Sequence, residues 1–358
     1  MRAAIFVGEG KPLAVEEVTA HAPGPRDVIV QVAASGVCHS DLSIVNGYVP
    51  LPPPSILGHE GAGVVIEIGS EVTRVRPGDK IIASFVPSCG TCFFCLHDQA
   101  NLCEQMWSFS GVPRATRVDG GAVTAMTGLG TFSDVMTIHE LSAIKVETDL
   151  PEEQLALIGC GVTTGVGAAL NTARVRPGST VAVVGCGGVG TAVIQGARIA
   201  GAARIIAVDP VELKRKTAEQ LGATDLVDPA EGDPVAQVQA LTGGRGADYA
   251  FEVIGLPETI LQVFAMTRTG GTAVMVGMPR MDATVTFPAW QLFGGEKRLL
   301  GCVYGSAQVK RDFQRFIGLV ETGRLDLGTM VSRRISLDEV NDAFRAMEAG
   351  EVIRSVIV

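Results

Sequence analysis

Four cysteines lie close together in one short, loop-like segment of the chain, PSCGTCFFCLHDQANLC. They are Cys89, Cys92, Cys95 and Cys103, with the spacing C-x2-C-x2-C-x7-C. Four thiolates at this spacing match tetrahedral zinc, and a closed set of four leaves no position for a substrate. An iron–sulfur cluster also takes four thiolates, but no electron-transfer motif accompanies these. The pattern therefore favours structural zinc, held by a lobe at residues 87–104.

Three further residues have the side chains of metal ligands but stand far apart in the chain. They are Cys38 in SGVCHSDL, His59 in LGHEGAG and Cys160 in IGCGVTTG. Each is predicted to lie in a glycine-flanked turn near the edge of a strand. Two thiolates and one imidazole with an open fourth position form the ligand set of a catalytic zinc ion. Spacing alone equally allows three ordinary buried side chains.

A glycine-rich sequence, GCGGVG, follows an apolar strand and leads directly into a helical segment. The pattern G-x-G-x-x-G in this context is typical of dinucleotide-binding sites, because glycines permit a tight turn and a close approach of pyrophosphate. The free N–H groups at the helix N-terminus favour the negative charge of that group. We therefore predict cofactor contacts at Gly185, Gly187, Gly188, Val189 and Gly190.

The next predicted strand, RIIAV, is followed by Asp209. Its separation from the glycine motif is close to the distance of about 20 residues at which an acidic residue receives the ribose hydroxyls. A carboxylate there repels a 2′-phosphate, so the sequence favours NAD over NADP. The alternative is an acid that only caps a strand. Lys214 would lie near the same ribose edge, unless it is simply a solvated surface lysine.

The elements that must position these residues fall into two classes along the chain. Residues 1 to about 160 carry short alternating segments separated by turn signals, which predict a β-rich domain. From about residue 163, strands alternate with helices, which predicts a doubly wound parallel sheet. The expected fold class is therefore α/β with a second, β-rich domain.

The end of the chain predicts a return to the first domain. Ser336 and Glu339 form a capping box before an amphipathic helix that Gly350 ends, and the final EVIRSVIV has the composition of a strand. The predicted boundaries are residues 1–162 and 303–358 for the β-rich catalytic domain. Residues 163–302 form the predicted nucleotide-binding domain.

Composition limits the remaining function classes. The chain has 358 residues, a net charge of −9 and a sequence pI near 5.2, which oppose nucleic acid as a partner. Its first residues lack the features of a signal peptide, and its most apolar window, 179–197, is interrupted by glycines. We therefore expect a cytoplasmic protein with no membrane partner, whose eight cysteines serve metals and packing rather than disulfides.

These motifs, in this order and across nearly the whole chain, resemble the zinc-dependent medium-chain alcohol dehydrogenases. The resemblance implies a GroES-like catalytic domain, a Rossmann cofactor domain and an active site in the cleft between them. The long segment between Cys103 and Cys160 is similar to that of the dimeric members, which implies a homodimer.

The resemblance also implies roles for individual residues. Cys38, His59 and Cys160 match the catalytic zinc ligands, Glu60 an acidic neighbour behind the metal, Asp41 the carboxylate that orients the histidine, and Ser40 the hydroxyl that receives the alcohol proton. Thr164, Val276, Gly277 and Met278 match nicotinamide contacts, and His39 and Arg354 match pyrophosphate contacts. Ser40 could otherwise be a hydroxyl that caps a turn.

Two positions depart from the family pattern. Many members have a proton-accepting histidine where this chain has Ser43, so we expect the relay to end in water or in another group. Members that oxidise a glutathione adduct carry a basic residue near the position of Trp107, and an aromatic ring cannot hold a carboxylate. Together with Phe85 and Met126, Trp107 predicts an apolar substrate pocket, although it could also pack against the zinc lobe.

The expected function is hydride transfer between a primary aliphatic or aryl alcohol and NAD, giving the aldehyde, with two zinc ions per subunit. Three alternatives stay open. One is an S-(hydroxymethyl)glutathione dehydrogenase, the second is a nicotinoprotein that keeps its NAD bound, and the third is a non-catalytic nucleotide-binding protein.

Overall fold

The computed structural model describes all residues from 1 to 358, and they form two compact units. The first unit comprises Met1–Gly161, Gln308–Gly323 and Val331–Val358. The second comprises Val162–Ala307 and Arg324–Met330.

Strands and helices follow one another in a β-rich first part and an alternating second part. The strands are β1 (Arg2–Phe6), β2 (Ala14–Ala20), β3 (Asp27–Gly36), β4 (Ser55–Ile56), β5 (Glu60–Ile68), β6 (Lys80–Ala83), β7 (Ala115–Arg117), β8 (Ala122–Ala125), β9 (Val135–His139), β10 (Ala143–Lys145), β11 (Thr180–Val184), β12 (Arg204–Val208), β13 (Asp225–Val227), β14 (Ala247–Glu252), β15 (Thr267–Met275), β16 (Arg298–Gly301), β17 (Val331–Ile335) and β18 (Arg354–Ile357). The α-helices are α1 (His39–Val45), α2 (Phe93–Leu96), α3 (Glu152–Leu157), α4 (Thr163–Gly167), α5 (Gly188–Ile199), α6 (Glu212–Gln220), α7 (Pro234–Leu241), α8 (Pro257–Met266), α9 (Ala289–Phe293), α10 (Val309–Glu321) and α11 (Val340–Glu348).

The first unit is built on a closed barrel, β1-β2-β7-β8-β4, and a seven-stranded sheet in the order β10-β6-β5-β3-β18-β17, with β9 also paired to β3. The terminal strand β18 pairs with the end of β3, where Val356 lies opposite Gly36. This pairing is the return of the chain that the last residues predicted. The capping box of Ser336 and Glu339 is also present, directly before α11.

The second unit contains a six-stranded parallel sheet in the order β13-β12-β11-β14-β15-β16. This is the doubly wound order in which the first strand lies in the centre and a nucleotide binds beyond the carboxyl ends. Val181, Ala182 and Val183 of β11 are all fully buried, as expected for a strand covered on both faces. The predicted alternation of strands and helices is therefore confirmed, although the prediction missed the edge strand β13, which is short and partly exposed.

The boundary between the units differs from the predicted one near the end of the chain. Residues 303–307 and 324–330 group with the second unit, although the sequence placed all of 303–358 in the first. Gln195 of α5 explains the later segment, because its side-chain amide donates to the carbonyl of Asp326 (2.9 Å) and accepts from its N–H (2.7 Å). In the sequence, the signal for this contact was a glutamine, which can form hydrogen bonds, inside an otherwise apolar helix.

One helical run, Glu152–Thr172, has the length and apolar composition of a helix that could cross a bilayer. However, 78% of its most apolar stretch is buried among other elements of the protein. Core helices commonly pass the same test, so the run is weak evidence for a membrane span.

Candidate functional site

The distant ligand residues converge inside the first unit. The ligand atoms of Cys38, His59, Glu60 and Cys160 all lie within 4.8 Å of one another, and all four residues are buried. Sheet pairing explains how two of them meet, because Gly36 at the end of β3 lies opposite Glu60 at the start of β5. Cys38 follows Gly36 as the N-cap residue of α1, and His59 immediately precedes β5. We name these four residues the mixed cluster.

Cys160 is not in a turn near a strand, as its glycine neighbours led us to predict. It lies in a π-helical turn, Ile158–Val162, that follows α3. A Cβ atom on Gly159 would lie 3.0 Å from the Ala83 carbonyl oxygen and 3.5 Å from the Glu60 Cα atom. The glycine is therefore required for close packing of this helix against β5 and β6, and a π turn of this kind often marks a functional site.

Asp41 holds the histidine of the mixed cluster in a fixed orientation. Its Oδ1 accepts from His59 Nδ1 at 3.1 Å, and its fully buried carboxylate also accepts from the backbone N–H of Cys38 at 3.1 Å. A histidine that donates through Nδ1 keeps Nε2 as its metal-binding atom. The predicted orienting carboxylate thus stands in contact with two residues of the cluster.

The mixed cluster has the electrostatics of a cation site. Burial lowers the pKa of His59, but Asp41 and Cys38 outweigh it and raise the pKa to about 10. The hydrogen bond from Cys160, opposed by burial and supported by His59, holds the pKa of Cys38 well below its usual range. Two soft sulfur donors and one imidazole around a single point therefore fit Zn²⁺, which would take the place of the proton.

Arg354 makes a buried ion pair that the sequence did not predict, and its pyrophosphate contact stays a prediction. Its guanidinium donates to Glu60, and the two side chains are buried, with 5% and 0% of their surfaces exposed. The arginine is close behind the cluster, because a Cβ on Gly161 would lie 3.6 Å from its guanidinium carbon. A lone arginine in a terminal strand carries no sequence signal that distinguishes a buried ion pair from an exposed anion contact.

The predicted proton path begins beside the cluster. The Ser40 hydroxyl in the first turn of α1 lies 3.8 Å from the Cys38 sulfur, and Ser43 follows one turn later. Both serines are half-buried, whereas the neighbouring His39 is exposed. The helix thus presents two hydroxyls in succession, as the family resemblance implied for the first of them.

The three predicted pocket residues have different surroundings. The Phe85 ring meets the His59 ring edge-on, with a centroid distance of 5.9 Å and an angle of 83°. Trp107 is 66% exposed at the surface of the loop after the fourth clustered cysteine, and Met126 is packed in the hydrophobic core together with Leu57. Phe85 therefore lies against a residue of the mixed cluster, while the pocket roles of Phe85, Trp107 and Met126 stay predictions.

The four-cysteine cluster is the second group of ligand atoms. The four sulfur atoms of Cys89, Cys92, Cys95 and Cys103 lie within 4.8 Å of one another, as the spacing predicted. The backbone N–H groups of Thr91 and Cys92 point at the Cys89 sulfur from 3.4 and 3.3 Å. These bonds outweigh burial and lower the pKa of Cys89 to about 6, while burial raises the pKa of Cys103 to about 12.

The glycine motif of the second unit forms the turn between β11 and α5 that the sequence predicted, named the phosphate cradle. Gly185 follows β11 with φ of +91°, and Gly187 caps α5 with no atom within 4 Å of where a Cβ would stand. A Cβ on Gly190 would collide with the Gly185 carbonyl oxygen. Gly188 and Val189 form the first turn of α5, so their N–H groups face the open side of the loop. The loop fits a pyrophosphate.

Asp209 has a structural role in addition to the predicted one. Its carboxylate accepts from the N–H groups of Cys186 and Val211, each at 2.8 Å, and 5% of the residue is exposed. Lys214 is half-buried near it, but Arg215 makes the closer contact, donating to the Asp209 carbonyl at 2.6 Å. The prediction missed Arg215, although the run Lys-Arg-Lys contained it.

The predicted nicotinamide residues lie directly after one strand and on one helix of the second unit. Val276, Gly277 and Met278 follow β15, and 49% of Met278 is exposed. Thr164 lies on α4, a helix packed on α5. The N–H groups of Val276 and Gly277 donate to the carbonyl of Glu252, a buried residue at the end of β14 that the prediction treated only as part of a strand.

Comparison with known proteins gives one consistent result. Residues 24–148 match the family model described as alcohol dehydrogenase GroES-like domain, and residues 188–322 match zinc-binding dehydrogenase. The NDMA-dependent alcohol dehydrogenase of Amycolatopsis methanolica is 38% identical, covering 100% of this chain and 98% of that protein.

Two solved structures are similar over the whole chain. The alcohol dehydrogenase zinc-binding domain protein from Burkholderia ambifaria has a TM-score of 0.94 and 32% identity, covering 99% of this chain and 98% of that one. Benzyl alcohol dehydrogenase from Acinetobacter calcoaceticus has a TM-score of 0.92 and 31% identity, with the same coverage.

Proposed function

Because the chain belongs to the zinc-dependent medium-chain alcohol dehydrogenase family, we propose that it oxidises a primary alcohol to the aldehyde with NAD as hydride acceptor. The observation that carries the proposal is the convergence of Cys38, His59 and Cys160, whose ligand atoms lie within 4.8 Å of one another in a buried pocket. Three protein ligands leave one coordination position for a substrate.

Zinc, when bound, supplies a Lewis acid that lowers the pKa of the alcohol. The protein's own residues then have three tasks. Asp41 fixes the tautomer of His59, Phe85 covers the imidazole edge with an apolar ring, and the Ser40 hydroxyl takes up the alcohol proton. A hydroxyl next to the cluster suits this last task because it can accept one proton while passing on its own.

NAD is favoured over NADP by the carboxylate of Asp209. A second negative charge on the ribose would meet this buried acid, and Arg215 is already paired with Asp228 at 2.7 Å. A paired guanidinium is a weaker partner for a 2′-phosphate than a free one. We therefore expect NAD to be used at least tenfold more efficiently than NADP, about 1.4 kcal/mol in transition-state stabilisation.

A second candidate is a dehydrogenase that keeps its nucleotide bound. It is supported by the NDMA-dependent relative, which is 38% identical over the whole chain. In that case the purified protein would retain stoichiometric NAD after gel filtration and would turn over with NDMA, and added NAD would have no effect.

The other two alternatives have less support. A glutathione adduct needs a cation for its carboxylates, and Trp107 offers an exposed aromatic ring at the expected place. A non-catalytic protein would have no need for a complete ligand set, yet all seven cysteine and histidine ligands are brought together. A requirement for added glutathione, or fewer than two zinc ions per chain by metal analysis, would revive these alternatives.

The decisive experiment is a substrate panel. Benzyl alcohol, straight-chain primary alcohols and a secondary alcohol are each supplied with NAD, NADP or NDMA, and reduced nucleotide or consumed NDMA is followed by absorbance. The proposal predicts turnover of primary alcohols with NAD. Activity with none of the alcohols under any oxidant, in protein that holds its zinc, would overturn it.

A homodimer and a cytoplasmic location complete the proposal. Trp290 and Phe293 of α9 are 73% and 76% exposed, the edge strand β16 follows them in the chain, and a second copy would cover such exposed apolar residues. None of the eight cysteines is in a disulfide, which suits a reducing compartment. Light scattering on the wild type and on Phe293→Asp tests the dimer, because the variant should shift toward monomer.

A further inference from the structure

A buried carboxylate in the second unit has no role in the function proposed above. Glu252 ends β14 and is 0% exposed. Its Oε1 accepts from the backbone N–H groups of Ile254 at 2.9 Å and Gly255 at 2.7 Å. The hydroxyl of Thr259, in the first turn of α8, donates to the same oxygen at 2.8 Å. One oxygen atom thus holds the loop of residues 253–256 from three sides.

The main chain of the same residue holds a second loop. The Glu252 carbonyl accepts from the N–H groups of Val276 at 2.8 Å and Gly277 at 3.0 Å, directly after β15. Residues 253–256 and 276–278, named here the paired loops, are therefore both fastened to one residue. The second of them contains the predicted nicotinamide contacts.

The paired loops touch backbone to backbone. A Cβ on Gly277 would lie 2.5 Å from the Ile254 nitrogen, and a Cβ on Gly255, whose φ is +96°, would collide with the Met278 carbonyl. Because glycine at each contact lets the two backbones touch, neither loop has room to shift without the other. A displacement of the first loop therefore moves the second.

The first loop also reaches the phosphate cradle. The N–H of Val253 donates to the carbonyl of Val184 at 2.9 Å, and a Cβ on Gly185 would lie 2.7 Å from a side-chain carbon of Ile254. Glu252 therefore stands at the junction between the predicted nicotinamide loop and the cradle.

The surroundings of the carboxylate show that it is not half of an ion pair. Its Oε2 is buried and has no hydrogen-bond partner, so the protein bears the cost of burying this oxygen. The compensation is the set of three donors that all meet at Oε1. Such an arrangement fixes the backbone of the loop of residues 253–256 and contributes no surface charge.

We propose that Glu252 is a positioning residue that holds the paired loops against the nicotinamide half of the cofactor and thereby strengthens cofactor binding. The inference rests on the proposed function, because the nicotinamide contacts belong to it. Glu252 itself touches no reacting atom. Its effect should therefore appear in the binding of a ligand that has a nicotinamide ring and be absent for one that lacks it.

The test compares NADH with ADP-ribose, which carries the adenosine and pyrophosphate but no nicotinamide. Dissociation constants for both are measured by fluorescence titration and competition on Glu252→Ala, Glu252→Gln and wild-type holoprotein. Removing the carboxylate leaves two backbone N–H groups and the Thr259 hydroxyl without this acceptor, so we expect NADH to bind about tenfold more weakly or worse in Glu252→Ala. ADP-ribose should bind within about twofold of wild type, since the cradle and Asp209 are unchanged.

Glu252→Gln should recover most of the NADH affinity, because an amide oxygen can accept from the same three donors. Glu258→Gln is the control, since Glu258 is an exposed acid on the same segment. If Glu252→Ala does not fold, the same measurement is made on Thr259→Val and compared with Thr259→Ser. The valine variant should weaken NADH about fivefold and the serine variant should not.

Equal weakening of NADH and ADP-ribose, or no change in either, would overturn the positioning role. A wild-type protein that binds neither ligand would instead contradict the proposed function. The two failures are therefore distinguishable, because only the second is visible without any substitution.

Discussion

The two groups of metal-ligand side chains are made of similar atoms but are assembled by different means. All four ligands of the four-cysteine cluster come from one loop, between residues 89 and 103, and three of them are only partly buried. The mixed cluster draws its ligands from residues 38, 59 and 160 and is buried throughout. One cluster is encoded by local spacing, whereas the other exists only when β3, β5 and the helix after α3 are packed together.

The hydrogen-bond partners of the two clusters also differ, being local in one cluster and distant in the other. Backbone N–H groups of the loop itself point at the Cys89 sulfur, so the four-cysteine cluster supplies its own electrostatic support. The mixed cluster depends on side chains from elsewhere, namely Asp41 at one side and the Glu60–Arg354 pair behind it. We propose on this ground that the four-cysteine cluster serves stability and the mixed cluster serves chemistry, and the following substitutions test the two roles separately.

The largest effect on turnover is expected from Cys160→Ala. Removing one of three protein ligands should cost the mixed cluster its zinc, and turnover should fall by roughly 10³-fold or more, because the Lewis acid is lost. Metal analysis should show one zinc per chain, with circular dichroism unchanged. A variant that keeps both zinc ions and most of its activity would contradict the assignment of this cluster to catalysis.

Cys103→Ser should produce the complementary phenotype. Cys103 is the buried member of the four-cysteine cluster, and loss of a structural metal lowers the free energy of unfolding on the order of 4 kcal/mol or more. Thermal or denaturant unfolding measures the loss, and the remaining native protein should keep its turnover per catalytic zinc. Comparable stability with lost turnover would reverse the roles of the two clusters.

The same contrast explains what could be predicted from sequence. The four-cysteine cluster, the glycine cradle and the doubly wound sheet follow from patterns within one or two neighbouring elements. The role of Glu252 and the ion pair between Arg354 and Glu60 were not predicted, because both depend on residues that only the fold brings near. Cys160 was identified as a ligand through family resemblance, yet its helical setting was missed, since flanking glycines signal either a turn or close packing.

Next in size is Ser40→Ala, which tests the proton path beside the mixed cluster. If the hydroxyl receives the alcohol proton, turnover should fall by roughly 10²-fold, while both zinc ions remain bound. Ser40→Thr keeps a hydroxyl and should retain most of the rate, which separates proton transfer from helix capping. Full activity in the alanine variant would remove Ser40 from the mechanism.

Asp41→Asn should weaken zinc binding at the mixed cluster by about 10- to 100-fold, because the orienting carboxylate is lost. In the metal-free protein the pKa of His59 is raised from 6.5 to about 10, so the stability it contributes is present below pH 6.5 and is lost as the pH rises through about 10. Zinc needs the neutral imidazole, so binding releases this proton and tightens with pH across that window.

Asparagine in place of Asp41 should flatten this pH dependence, because the pKa of His59 would fall. Competition with a chromophoric chelator at several pH values within the window measures both the affinity and its slope. The four-cysteine cluster serves as an internal control, since its zinc should titrate as in the wild type. An unchanged slope at the mixed cluster would show that Asp41 does not set the protonation of His59.

The smallest effect is expected from Ser43→His, which concerns how protons leave the mixed cluster. Ser40 and Ser43 stand one turn apart on α1 and are half-buried, so an imidazole at residue 43 would stand next in line after the Ser40 hydroxyl. A serine is a poor base, and an imidazole with a pKa near neutrality accepts a proton far more readily. Turnover should therefore rise severalfold at acidic pH, about threefold to tenfold, and converge with wild type at high pH. Ser43→Gln is the matched control, because it adds comparable bulk without a titrating group. If the pH profile of turnover keeps its wild-type shape in the histidine variant, proton release does not pass through this face of α1. Protons would then leave the site by another route around Cys38.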